Sequence, residues 1–318
     1  MIVVTGGAGF VGSNLVWALI GVGREDVVVV DNLTAADKFK NLVGADIGDY
    51  IDKEDFLSMV VGRAAALEEV EMVFHQGACT STTESDGRYM MKNNYEYSKA
   101  LLDFCLERQV PLIYASSAAV YGGGTVFDED PANEAPLNVY GFSKLLFDLH
   151  VRRVLAEAKS QIVGLRYFNV YGPREAHKGP MASMVLQLDD QVTAGGKAKL
   201  FGPTEGYESG EQRRDFIYVQ DVVKMNLWFM ENPEKSGIFN CGTGTSRTFN
   251  DLAGEVLRFR GDGELEYIPF PEALQGRYQS YTQADLTQLQ AVGYDGEFTA
   301  LEIGVPEYLT WRREQIDE

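Results

Sequence analysis

The chain's 318 residues, 45% hydrophobic and 24% charged, suit one large or two ordinary globular domains with a sizeable core. With 47 acidic against 28 basic residues the net charge is −19, a balance that repels phosphate backbones and anionic lipid and so counts against nucleic-acid and membrane partners. The three cysteines (Cys79, Cys105, Cys241) show no C-x-x-C spacing and the three histidines (His75, His150, His177) no H-E-x-x-H spacing, which counts against a disulfide framework and a metal site.

Met1 leads into a strand and a glycine loop rather than a basic and apolar leader, and no apolar run nears the roughly 18 residues that span a bilayer, so the cytoplasm is the expected compartment. Ile2 to Val4 is a β-branched run; Gly6, Gly9 and Gly12 follow as G-x-x-G-x-x-G; Ser13 to Ile20 carries helical apolar spacing; Val27 to Val30 is a second β-branched run, ending at Asp31. The order strand, glycine turn, helix, strand is a βαβ unit, and runs apolar on every residue fit strands buried on both faces of a parallel sheet. Further strands are expected over 71–75, 111–116 and 161–167, with helices over 97–108 and 140–155. This alternation predicts a doubly wound α/β sheet of the Rossmann type. After about residue 166 glycine, proline and polar residues thicken and the elements shorten, although 215–219 and 238–241 again read as buried strands. The expected organisation is a dinucleotide-binding Rossmann domain over 1–168 and about 214–242, interleaved with a smaller α/β substrate domain over 169–213 and about 243–318.

The glycine triplet lets the chain turn tightly, brings backbone close to a pyrophosphate and seats the helix on the sheet, whose N-terminal N–H groups then face the phosphates. Asp31 is placed for the ribose hydroxyls and alone favours NAD, because a carboxylate repels a 2′-phosphate. Lys38, Lys40 and Lys53 follow, and a lysine folded over the ribose neutralises such a phosphate, so the residues leave NAD against NADP open.

Tyr140-Gly141-Phe142-Ser143-Lys144 sets a phenol and an ammonium on one helix face. The cation favours phenolate, lowering the tyrosine pKa for proton exchange with a substrate hydroxyl. Ser116 and Ser117 end an expected strand at its carboxyl edge, where a hydroxyl can orient the same oxygen. A second Y-x-x-x-K, Tyr95 and Lys99, reads as helix surface. The glycine spacing, the Ser–Tyr–Lys trio and Arg166-Tyr167-Phe168-Asn169-Val170-Tyr171-Gly172-Pro173 resemble the extended branch of the short-chain dehydrogenase/reductase superfamily, which acts mostly on nucleotide sugars. No carboxylate pair follows Ser116, which disfavours a dehydratase and favours an epimerase.

Five stretches narrow the resemblance: Asn32 to Lys38, His75 to Glu84, Tyr89 to Tyr95, Gly172 to Ser183, and Gly276-Arg277-Tyr278-Gln279 with Thr282 to Leu286. They resemble the ADP-L-glycero-D-manno-heptose 6-epimerase family of bacterial lipopolysaccharide core synthesis over essentially the whole chain. That resemblance implies a tightly bound NADP held by Gly6, Gly9, Phe10, Val11, Gly12, Asp31, Asn32, Lys38, Lys53, His75, Gln76, Gly77, Ala78, Cys79, Lys92, Lys144, Val170 and Lys178. It implies Tyr140 and Lys178 as the two acid/base groups, with Lys144 and Ser116 assisting. Asn169, Pro180, Gln187, Phe201, Gly202, Pro203, Thr204, Arg214 and Tyr278 would contact an ADP-heptose, in a homo-oligomer, a pentamer by resemblance. Departures are Gln187, often histidine, Pro180, often serine, and a longer 205–211 segment. Arg214 suits a bidentate pyrophosphate contact or a structural ion pair, and Arg174 is similarly open. The competing readings are a UDP-hexose 4-epimerase, a non-catalytic dinucleotide sensor and a net reductase.

Overall fold

The computed structural model describes residues 1–272, 276 and 278–317; Arg277 lies outside them. The strands are β1 (Ile2–Thr5), β2 (Val27–Asp31), β3 (Asp49–Asp52), β4 (Met72–His75), β5 (Leu112–Ser117), β6 (Ile162–Tyr167), β7 (Asn169–Tyr171), β8 (Lys197–Phe201), β9 (Arg213–Tyr218), β10 (Gly237–Cys241), β11 (Ser246–Thr248) and β12 (Glu264–Ile268). The helices are α1 (Phe10–Gly21), α2 (Lys53–Val61), α3 (Gly87–Met91), α4 (Tyr97–Arg108), α5 (Val139–Leu155), α6 (Met184–Gly195), α7 (Val219–Glu231), α8 (Phe249–Arg260), α9 (Thr287–Ala291) and α10 (Leu301–Asp317). No helix among the described residues is long and apolar enough to cross a membrane.

Seven strands form one parallel sheet in the order β10-β6-β5-β4-β1-β2-β3. The pleat divides each strand between two cores: Ile2, Val4, Val27 and Val29 pack with α1 and α7, while Val3, Val28 and Val30 pack with α2, α4 and α5. That division is why these strands read apolar at every position. The strand order reverses between β1 and β4, which opens a crevice at their carboxyl ends.

Of the two later segments expected as strands, β10 joins this sheet beside β6. The other, β9, pairs with β7 in parallel and β11 in antiparallel, in a separate three-stranded sheet. With the β8–β12 pair and α6, α8 and α10 it encloses a second core built on Tyr171, Leu200, Phe216, Leu252 and Tyr308. The chain passes from one sheet to the other at 167–169, and residues of both units line the crevice.

A buried polar network braces α5 against the sheet. Arg166, wholly buried, donates to Asp148 at 3.0 Å, to the Tyr121 hydroxyl at 3.0 Å and to Glu134, and Asp148 also accepts from Tyr114 and Ser116, each at 2.9 Å. Next to it, buried Glu129 accepts from the Asn240 N–H at 2.7 Å, while its second oxygen has no partner among the described residues. Burial raises its pKa from 4.5 to about 7. Folding therefore holds this proton where the unfolded chain releases it, so stability falls as pH rises from about 4.5 to 7 and levels off above. Glu129→Gln removes the penalty and keeps the acceptor. Its stability gain over wild type, in denaturant titrations, is expected to grow across that window to about 2–3 kcal/mol; a gain independent of pH would refute the assignment.

Candidate active site

The glycine loop is shaped by its own backbone. Gly6 has φ +66°, and a Cβ there would lie 2.6 Å from the Gly77 backbone; a Cβ on Gly12 would lie 2.1 Å from the Gly6 carbonyl oxygen. Gly9 is the N-cap of α1 and offers no side-chain cap, so the first-turn N–H groups face the crevice. This floor fits a dinucleotide pyrophosphate. Asp31, at the end of β2, already has both oxygens engaged. One accepts from the Ala8 N–H at 3.1 Å; the other accepts from the Asn32 N–H and the Lys38 ammonium, both at 2.7 Å. Lys53, on the same wall, donates to Asn93 at 2.6 Å.

Tyr140 and Lys144 enter from α5, whose N-cap Asn138 accepts from the Gly141 N–H at 2.8 Å. Lys144 is buried and donates to the Ala115 carbonyl at 2.7 Å; burial lowers its pKa to about 8, with Asp148 opposing. The Tyr140 phenol has no hydrogen bond to Lys144 or Ser116 among the described residues; burial raises its pKa, and the neighbouring Ser117 hydroxyl opposes that. One expectation is thereby corrected. In this structure the phenol is not lowered by the lysine, because that ammonium is turned to a strand carbonyl. The pleat separates the two serines: Tyr114 and Ser116 share one face and both bond Asp148, while Ser117 takes the other, beside Tyr140. Ser117→Ala is expected to lower kcat by about 10- to 100-fold, as for one hydrogen bond to a charged group. Ser116→Ala is expected to cost about 1 kcal/mol of stability with kcat nearly unchanged. Steady-state kinetics with denaturation decides, and the opposite pattern would return the role to Ser116.

Lys178 stands on the loop between β7 and α6. Its ammonium lies 5.2 Å from the centroid of the Phe10 ring, and burial lowers its pKa. Wholly buried Glu175 staples the loop's ends, accepting from the Ser183 hydroxyl at 2.6 Å. Gln187 donates to the Pro180 and Ala182 carbonyls at 3.2 and 2.7 Å, so its amide nitrogen holds the loop rather than facing the crevice alone. Arg174 is stacked between Trp17 and Trp311, 5.1 and 5.6 Å from their centroids, a packing role.

Arg214 is 5% exposed and packs on Tyr278, 4.8 Å from its centroid, and on Phe249 at 5.8 Å. It makes no salt bridge among the described residues, and it lines the crevice while donating to the Arg213 carbonyl at 3.1 Å. Phe201 packs on Phe270 and Tyr278. The 205–211 segment folds back onto α8, where the Asn250 amide donates to the Ser209 carbonyl at 3.0 Å.

These walls enclose a cleft of about 850 Å³, within the range of small-molecule sites. Tyr140, Lys144, Ser116, Ser117 and Lys178 line it together with Phe10, Val11, Asp31, Asn32, Lys38, Lys53, residues 76–79, Val170, Asn169, Pro180, Gln187, Phe201, Arg214 and Tyr278. Five expected residues stand outside its lining. His75 is a neutral core histidine between Thr5 (2.6 Å) and Ser98 (2.8 Å), its pKa pulled down to about 3 by burial. Lys92 is exposed beside Glu54, and Gly202, Pro203 and Thr204 continue past Phe201. The Tyr95–Lys99 pair is surface packing, with the ammonium 4.9 Å from the ring centroid. Sequence reasoning missed Asn94, which sits in a π-turn (Lys92–Glu96) between α3 and α4. Asn94 pins both backbone groups of Cys79, at 2.8 and 2.9 Å, and bonds Ser143 at 3.0 Å. Such turns gather at functional sites, but nothing in the residue pattern marks one.

A parallel sheet with a phosphate-binding crevice and a Tyr–Lys pair on its wall defines a nicotinamide-dependent enzyme. The chain belongs to the NAD dependent epimerase/dehydratase family, whose profile matches residues 2–242. It is 59% identical to the ADP-L-glycero-D-manno-heptose-6-epimerase of Alkalilimnicola ehrlichii, over 97% of this chain and 96% of that one. Among solved structures it resembles the Helicobacter pylori ADP-L-glycero-D-manno-heptose-6-epimerase (TM-score 0.83, 36% identity, 98% and 96% of the two chains). It also resembles the Thermotoga maritima UDP-glucose 4-epimerase in complex with UDP-glucose (TM-score 0.81, 31% identity, 99% of each chain).

Proposed function

We propose that this chain interconverts ADP-D-glycero-D-manno-heptose and ADP-L-glycero-D-manno-heptose at C6″, in the cytoplasm, with a retained NADP, as a homo-oligomer. The observation that carries the reading is Tyr140 and Lys178 entering one cleft from separate elements, α5 and the β7–α6 loop. A bound nicotinamide would supply hydride removal and return at C6″. Inversion turns the intermediate ketone over, so its oxygen occupies two places. Tyr140 would hold the proton at one and Lys178 at the other. Burial lowers the Lys178 pKa and so eases the release of its proton and raises the share of neutral amine able to accept one. Arg214 would take the substrate diphosphate, with the unit of 169–213 and 243–318 receiving the sugar nucleotide. The pentameric state rests on resemblance.

NADP rather than NAD is favoured by Asp31. Its charge is offset by the Lys38 ammonium and the Ala8 and Asn32 N–H groups, so it repels a 2′-phosphate less, and such a phosphate meets Lys38 and Lys53 on the same wall. The test is the nucleotide released on denaturing purified protein, identified by mass spectrometry, alongside turnover of ADP-heptose and UDP-hexoses. NADP with ADP-heptose turnover alone is expected; UDP-galactose turnover would move the reading to a 4-epimerase.

A further inference from the structure

The Asn41 side chain occupies a crossing point. Its amide nitrogen donates to the Ala8 carbonyl of the glycine loop at 2.9 Å and to the Arg174 carbonyl of the Lys178 loop at 3.1 Å, and it lies 3.2 Å from Nδ1 of His177. Two carbonyl partners fix that atom as the nitrogen, and an amide nitrogen only donates. The two amide hydrogens are shared among these three neighbours, and the contact with Nδ1 favours the tautomer that accepts there and carries the ring proton on Nε2. The ring lines the cleft, and Nε2 has no protein acceptor among the described residues. Burial first, then the ammonium groups of Lys38 and Lys178, pull its pKa down to about 4, so the imidazole is neutral at pH 7. His177 thus presents a fixed, uncharged N–H donor beside Lys38 and Asp31, the pair at the ribose end of the cleft. The first turn of α1 serves the pyrophosphate instead.

We propose that Nε2–H of His177 is a further cofactor-binding group, donating to the phosphate on the adenosine ribose. This rests on the NADP reading. Lys38 and Lys53 supply charge there, and His177 supplies a donor whose direction Asn41 fixes, so the phosphate is recognised by geometry as well as by charge.

Two substitutions separate the ring's two nitrogens. His177→Asn keeps an acceptor near Nδ1 for Asn41 and loses the donor at Nε2; His177→Gln restores a donor at the Nε2 reach. The measurement is the release rate of bound NADPH, and separately of NADH, from the loaded protein, followed by fluorescence against an excess of unlabelled oxidised nucleotide. His177→Asn is expected to release NADPH about tenfold faster or more, with NADH release within about twofold of wild type and His177→Gln close to wild type. Equal acceleration of both nucleotides, or no acceleration, would overturn the proposal. Wild-type protein that holds NADPH no better than NADH would instead overturn the NADP reading beneath it.

Discussion

Tyr140→Phe is expected to lower kcat for epimerisation by about 10²- to 10⁴-fold while the cofactor stays bound. The substitution removes one oxygen from a side chain whose ring lies in the cleft, so shape and binding persist. What is lost is the hydroxyl, which lies in the cleft with Ser117 and Lys144. Because burial raises this phenol's pKa in the structure, Tyr140 is a proton donor as it stands. To act as a base it would need a cation nearer than Lys144, which donates to the Ala115 carbonyl. The measurement is single-turnover epimerisation, with cofactor content checked by absorbance. Unchanged turnover would remove Tyr140 from the chemistry.

Lys178→Met is the second large expectation, a loss of similar size with a different signature. If each group serves one position of the ketone oxygen, Lys178→Met blocks oxidation of one epimer and spares the other, and Tyr140→Phe does the reverse. Adding each epimer separately and following reduced cofactor at early times shows which half-reaction survives. Methionine matches the lysine stem, so packing on Phe10 and the Glu175 and Gln187 staples should remain. Wild-type turnover in the variant would exclude Lys178 as a proton-handling group and leave it a loop residue.

Much of this was legible in the sequence where the signal is local. The β1-α1-β2 unit stood out because both faces of its strands are buried, and the α4 and α5 spans followed from helical spacing. Tyr140 and Lys144 were found because one helix turn carries both. The misses share a cause, which is dependence on distant partners. Strand β3 is a polar edge strand, so no apolar run announces it. A buried run such as 213–218 satisfies either sheet, and only its pairing with β7 and β11 decides. Choosing between Ser116 and Ser117 needs the pleat of β5, since a one-residue error in a strand reverses the face. The engaged oxygens of Asp31, the stapling of the Lys178 loop and the stacking of Arg174 between Trp17 and Trp311 depend on how the folded chain brings their partners together and have no sequence signature.

The most direct measurement of the central claim is proton NMR of the C6″ configuration. Purified protein, with no cofactor added, is incubated with ADP-D-glycero-β-D-manno-heptose. The account predicts conversion to an equilibrium mixture of the two C6″ epimers, with no net change in cofactor absorbance. No conversion, even after NADP and then NAD are supplied, would contradict it.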